Sequence, residues 1–147
     1  MPRPDHPVLP AWTPGTVAIL STVGEGAHAI PISTGLRASD RLVLLALAGR
    51  RRSLAHLRAE PRVALTILSE GDVAVTVHGV CEVVADPMEI SDRVCAVALE
   101  VVRIQDHGQP RFEIESGVGW RWTDPEAEER DRQVRVELAL IAARLVG

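Results

Sequence analysis

Residues 44–63 read LLALAGRRRSLAHLRAEPRV, and the junction inside that stretch decides how the chain is interpreted. An apolar run with no polar face reaches Gly49, after which Arg50, Arg51, Arg52 and Ser53 open a short helix, residues 51–59, that carries Leu54 and Leu57 one turn apart. Pro61 ends it, because the residue before a proline is pushed out of the helical region. The first N–H groups of a helix have no internal partners, so a helix that starts among arginines offers oriented donors, a positive dipole end and guanidinium forks to a phosphate. A bare arginine triplet is elsewhere a solvated charge run. Its position at a strand-to-helix junction turns the reading toward anion binding.

Upstream, residues 16–23 are strand-like, Gly24-Glu25-Gly26 supplies a hairpin turn, and residues 28–34 return as a second strand. Pro31 lies within that strand and cannot donate to a ladder, so its missing N–H belongs at an edge, a bulge or a ligand. Ala38-Ser39-Asp40 reads as the next turn, and residues 41–47 as a third strand buried on both faces or covering a cofactor. Downstream, residues 62–68 form a fourth strand and residues 73–85 a long fifth one, with a bend at Gly79. Asp86-Pro87-Met88-Glu89 has the form of a helix start, and Ile90, Val94, Val97, Val101 and Ile104 continue it at helical spacing to Gln105. A sixth strand is expected over 111–122. A last helix follows Asp124-Pro125, with Val134, Leu138, Ile141 and Leu145 on one face. Short turns between strands imply antiparallel pairing, and a wrapping fifth strand implies a small barrel. Residues 1–14, with five prolines, are expected as an extended arm that lies on the domain or frays from it, and residues 15–147 as a single domain.

Composition narrows the function classes. The chain has 147 residues, of which 46% are hydrophobic and 24% charged, as expected for a folded protein with one core. A net charge of -4 argues against nucleic acid as a partner, which requires a basic face. All 16 basic residues are arginine, so any side-chain cation that grips a phosphate is a planar fork able to hold two oxygens. Cys81 and Cys95 form no metal or redox motif, and the five histidines show no ligand spacing, so no metal is expected. No apolar run reaches the roughly eighteen residues of a membrane span, and the start lacks the pattern of a signal peptide, which places the expected location in the cytoplasm. Nothing reads as a nucleophile elbow or a paired acid and base.

From Gly15 to Pro87 the chain resembles the pyridoxamine 5'-phosphate oxidase-like family of flavin-binding split barrels, most closely at Leu57-Arg58-Ala59-Glu60-Pro61-Arg62-Val63. The resemblance implies a six-stranded antiparallel Greek-key split barrel and a homodimer, with flavin mononucleotide (FMN) or a deazaflavin relative between the two copies. It places Arg52 on a phosphate-contacting arginine of the family, with Arg50 and Arg51 beside it, and puts Ser53 where many members carry lysine. Ala46 and Leu47 match strand residues that run past the flavin, and residues 28–33 match the segment touching its ring and ribityl chain. Ser33 and Thr34 then offer hydrogen bonds in that direction. Ala74 stands where the true oxidase has a polar contact, and the oxidase's C-terminal substrate-binding region is missing, which argues against pyridoxamine phosphate as substrate. Trp120 and Trp122 read as core or dimer packing, or, with Trp120 foremost, as a cover for the partner's flavin. The implied activity is hydride transfer between the flavin and a small molecule. A deazaflavin-dependent reductase and a non-catalytic haem- or flavin-binding barrel are the alternatives.

Overall fold

Runs of Val, Leu, Ile and Ala separated by turn residues become seven strands in the computed structural model, which describes residues 3–147. In chain order these are β1 (Ala18–Val23), β2 (Ala27–Ile32), β3 (Leu36–Ser39) and β4 (Leu42–Ala48), then helix α1 (Arg52–Ala59). They are followed by β5 (Arg62–Ser69), β6 (Val73–Ala85), β7 (Val94–Asp106) and helix α2 (Pro125–Val146). One sheet holds all seven in the order β2-β1-β5-β6-β7-β4-β3, and every neighbouring pair is antiparallel. The sheet does not close, because β2 and β3 each pair on one side only. Pro31 sits in the β2 edge strand, where a missing N–H costs no ladder bond on the open side.

The inward faces of the strands form one core that includes Leu20, Leu45, Leu65, Val77 and Leu99, all fully buried. Burying side chains of this size stabilises the fold by about 1.5–3 kcal/mol each relative to exposure. A second cluster lies on the outer face of β4 and β7, where α2 lays Val134, Leu138 and Ile141 over Leu44, Ala46, Ala96 and Ala98. The three alanines leave room for the helix to approach the sheet closely. Leu145, expected on the same helix face, is instead exposed near the end of α2.

Three expectations are corrected. The sheet has seven strands rather than six: β3 occupies part of what reads as the turn at Ala38-Ser39-Asp40, and the tight connection falls at Asp40-Arg41. The helix expected from Asp86 to Gln105 is a turn region over 86–93 followed by β7, whose thirteen residues pair with both β4 and β6. Its apolar residues are continuous because the strand is covered on both faces, and a doubly buried strand loses the alternation that distinguishes it from a helix. The strand expected over 111–122 has no regular structure and runs as a strap across the β5–β6 end of the sheet. It is fixed there by the Asp72 N–H donating to the Ile114 carbonyl, by the Ile114 N–H donating to the Asp72 carboxylate, and by Gly117, which lies on the Leu68 carbonyl.

The N-terminal arm is pinned to the barrel. Leu9 is a core residue, its carbonyl accepts hydrogen bonds from Arg37, the Pro7 carbonyl accepts one from Arg41, and Trp12 Nε1 donates to the Gly35 carbonyl at 3.0 Å. At Gly79 the β6–β7 register shifts, and a Cβ there would collide with the Glu100 carbonyl and sit 2.5 Å from the Leu99 side chain. Gly79→Ala is therefore expected to destabilise the protein by about 1–3 kcal/mol through overpacking, read as a lower urea midpoint.

Candidate functional site

Alternation along β4 sends Leu45 and Leu47 into the barrel core and turns Leu44 and Ala46 toward α2. The two strand residues expected to flank a cofactor thus face opposite ways. Leu47 is sealed in the core, whereas Ala46 lines a cavity of 590 Å³ together with Thr34, Ala48, Val94, Trp122 and residues of α2. The walls of that cavity are held by committed polar groups. Thr34 Oγ1 donates to the Ala46 carbonyl at 2.9 Å and accepts from the Ala46 N–H at 3.1 Å, replacing ladder bonds beyond the end of β3. The Ser33 carbonyl accepts from Arg135 Nη2 at 2.9 Å, and the Arg135 guanidinium also pairs with Asp131 at 2.8 Å. Glu137 accepts the N–H groups of Glu89 and Ile90 at 2.9 and 2.7 Å, tying the 86–93 loop to α2.

The arginines lie in an adjacent groove of 430 Å³ lined by Gly49, Arg50, Arg51, Arg52, Arg58 and Asp86. Between groove and cavity runs the backbone contact from Gly49 N–H to the Arg93 carbonyl at 2.8 Å. Arg58 is bound to Asp86, and this guanidinium, with the Cys95 thiol donating to the same carboxylate at 3.2 Å, holds Asp86 below the usual carboxylate range. Among the described residues, Arg50, Arg51 and Arg52 make no ion pair. Helix α1 follows the N-cap residue Arg51 with no side-chain cap and no acid in its first turn. At α2, by contrast, Asp124 caps the Glu126 N–H and Glu126 and Glu128 occupy the first turn. At the α1 start the Arg51 and Leu54 N–H groups are taken by the Ala48 and Arg51 carbonyls, at 3.0 and 3.1 Å, so the N–H groups of Arg52 and Ser53, with the positive helix end, are what it leaves for an outside anion.

Ser53 is not part of the groove. It is fully buried and bonded to His28 Nε2 at 3.1 Å, in a cluster where His28 and His56 meet edge to face at 4.9 Å and His56 Nδ1 contacts Thr22 Oγ1 at 3.0 Å. Trp120 lies in a separate cleft with its indole N–H on the Gly15 carbonyl, at 2.8 Å, while its neighbour Trp122 is the tryptophan that reaches the Ala46 cavity. Arg93 and Arg130, which also line that cavity, were not marked by any sequence signal, since each is an ordinary charge in a polar stretch. Ala74 is buried beneath the His107 backbone and faces neither pocket. No three His, Cys, Asp or Glu side chains converge among the described residues, and no described helix is long and apolar enough to cross a membrane.

An open, seven-stranded antiparallel sheet with a short helix between β4 and β5 defines the class: a split barrel. Solved structures with this fold include a candidate pyridoxamine 5'-phosphate oxidase from Listeria innocua, 17% identical, covering 64% of this chain and 90% of its own, with a TM-score of 0.54. An F420 reductase is 13% identical over 62% of this chain and 90% of its own, with a TM-score of 0.53. An FAD-binding protein from Mesorhizobium loti is 15% identical over 60% of this chain and 81% of its own, with a TM-score of 0.50. The chain therefore has the fold of the pyridoxamine 5'-phosphate oxidase-like split barrels. No protein-family model matches its sequence, and no curated protein matches it.

Two measurements test this geometry. Thr34→Val strips the Ala46 peptide of both partners and is expected to cost about 1–3 kcal/mol in urea unfolding. Burial pushes the Cys81 thiol up to about 12, and burial followed by the Asp86 carboxylate raises that of Cys95. Both should resist a thiol-labelling reagent at neutral pH in the native protein and react on unfolding; rapid native labelling of either would contradict the packing.

Proposed function

We propose that the chain is an oxidoreductase that binds a flavin-type cofactor, with the phosphate of the cofactor's tail in the arginine groove and the ring directed toward the Ala46 cavity. The carrying observation is the coincidence at one junction of three unpaired arginines and an uncapped helix start. Their donor set fits a phosphate ester, and the apolar surface of Ala46, Ala48 and Val94 fits a flat ring. In this reading Arg50, Arg51 and Arg52 hold the phosphate. Ser53 and His28 brace α1 from behind, and Thr34 sets the position of the Ala46 wall. A bound flavin supplies the hydride chemistry, and the protein's part is to bind, orient and shield it.

FMN is the cofactor of the leading reading, and a deazaflavin is the second. The FAD-binding and F420-reductase structures that share the fold support the broader class. A homodimer forms part of the proposal. Val136 and Leu140 on the outward side of α2 remain exposed in the single chain and offer apolar surface for a second copy. The small-molecule substrate is reduced or oxidised at the ring.

Replacing Arg51 and Arg52 by Ala is expected to lower flavin affinity at least tenfold while leaving the unfolding midpoint within experimental error, since both residues are exposed and neither guanidinium makes an ion pair among the described residues. Titration of the purified protein with FMN and with a deazaflavin, followed by absorbance, separates the two cofactors. Unchanged flavin affinity in the double variant would refute the assignment.

A further inference from the structure

Beyond the cofactor, the Ala46 cavity carries a charge pattern of its own. Four ionisable side chains line it: Asp92, Arg93, Arg130 and Asp131. Asp131 is already neutralised by Arg135, 2.8 Å away, in a pair whose side chains are only 16% and 25% exposed. Arg93 and Arg130 make no ion pair among the described residues, which leaves two guanidiniums against the single carboxylate of Asp92. The cavity thus carries one surplus positive charge in a chain whose net charge is -4. Its uncharged lining is mostly apolar, with Thr34, Ser91 and Gln133 as the polar members, and two of the apolar ones, Ile90 and Trp122, are 42% and 39% exposed. Trp122 is oriented by its indole N–H, which points at Asp131 Oδ2 from 3.4 Å, and Ile90 is held by the Glu137 contact to its backbone.

We propose that this cavity is an acid-binding site for a small aromatic monocarboxylate, with the ring against Trp122 and Ile90 and the carboxylate on Arg93 and Arg130. One excess charge selects a monoanion over a dianion or a neutral molecule. A guanidinium fork matches the two oxygens of a carboxylate, and an exposed indole gains from covering a second flat ring. As a binding site the proposal stands on these residues alone. As the identity of the substrate it rests on the cofactor reading above.

The test uses the full chain and two probes of the same shape, benzoate and benzyl alcohol, titrated by calorimetry with and without added FMN. Benzoate is expected to bind at least tenfold more tightly than the alcohol. The Arg93→Gln, Arg130→Gln double variant should erase that preference, whereas Arg132→Ala, on α2 but outside the cavity, should keep it. Trp122→Leu should weaken both probes. Circular dichroism establishes that each variant is folded, and the single glutamine variants are read if the double variant is not. Equal affinity for the two probes, or a preference that survives the glutamine variants, overturns the acid site. If FMN binds and benzoate does not, this inference fails and the cofactor reading stands. If benzoate is held by a chain that takes no flavin, the acid site stands and the redox reading falls.

Discussion

The pairing of β7 with both β4 and β6 is the constraint on which the molecule depends. It joins the two halves of the chain across the middle of the sheet, placing β4 next to β7 through seven Cα partners and β6 next to it along nearly its whole length. A central strand of this kind must be apolar on both faces, since one side fills the barrel and the other receives α2. If that pairing slipped by one residue, every side chain of β7 would exchange faces, and Leu99 and Val97 would leave the core.

The site follows from that placement. With β4 fixed against β7, its alternation commits Leu47 to the interior and presents Ala46 outward, and the end of the strand at Ala48–Gly49 delivers the chain to the start of α1. The same outward face receives α2, whose Arg135 and Glu137 fasten it to the Ser33 carbonyl and to the 86–93 loop. Groove and cavity are therefore made of pieces distant in sequence and held together by hydrogen bonds to backbone groups. Such bonds fix geometry more firmly than pairs of exposed charges, whose mutual attraction is screened by water.

The charge distribution has the same logic. The protein is acidic overall, yet the surfaces around the α1 start and between β4 and α2 are locally positive, because nearby carboxylates are already engaged: Asp86 by Arg58 and Asp131 by Arg135. On electrostatic grounds an acidic exterior with two small positive recesses would favour small anions over polyanions, which would meet repulsion beyond the recess.

The amino-acid sequence alone determined the strands bounded by Gly-rich turns, the α1 start among arginines and the last helix behind its Asp-Pro cap, because each of these is written in neighbouring residues. It also carried the resemblance to the split-barrel family, and the fold agrees with that. What only the tertiary structure decided was whatever depends on partners far along the chain. Residues 94–106 satisfy a helical spacing as well as a doubly covered strand, and only the sheet on either side resolves the two. The segment 111–122 has strand composition but meets no free edge, since both edges of the sheet lie elsewhere. Which of Ala46 and Leu47 faces the cavity, whether Trp120 or Trp122 reaches it, and that Ser53 turns inward to His28 are matters of strand phase and packing. Local propensity cannot express these, because they are set by which surface is left once the core has closed.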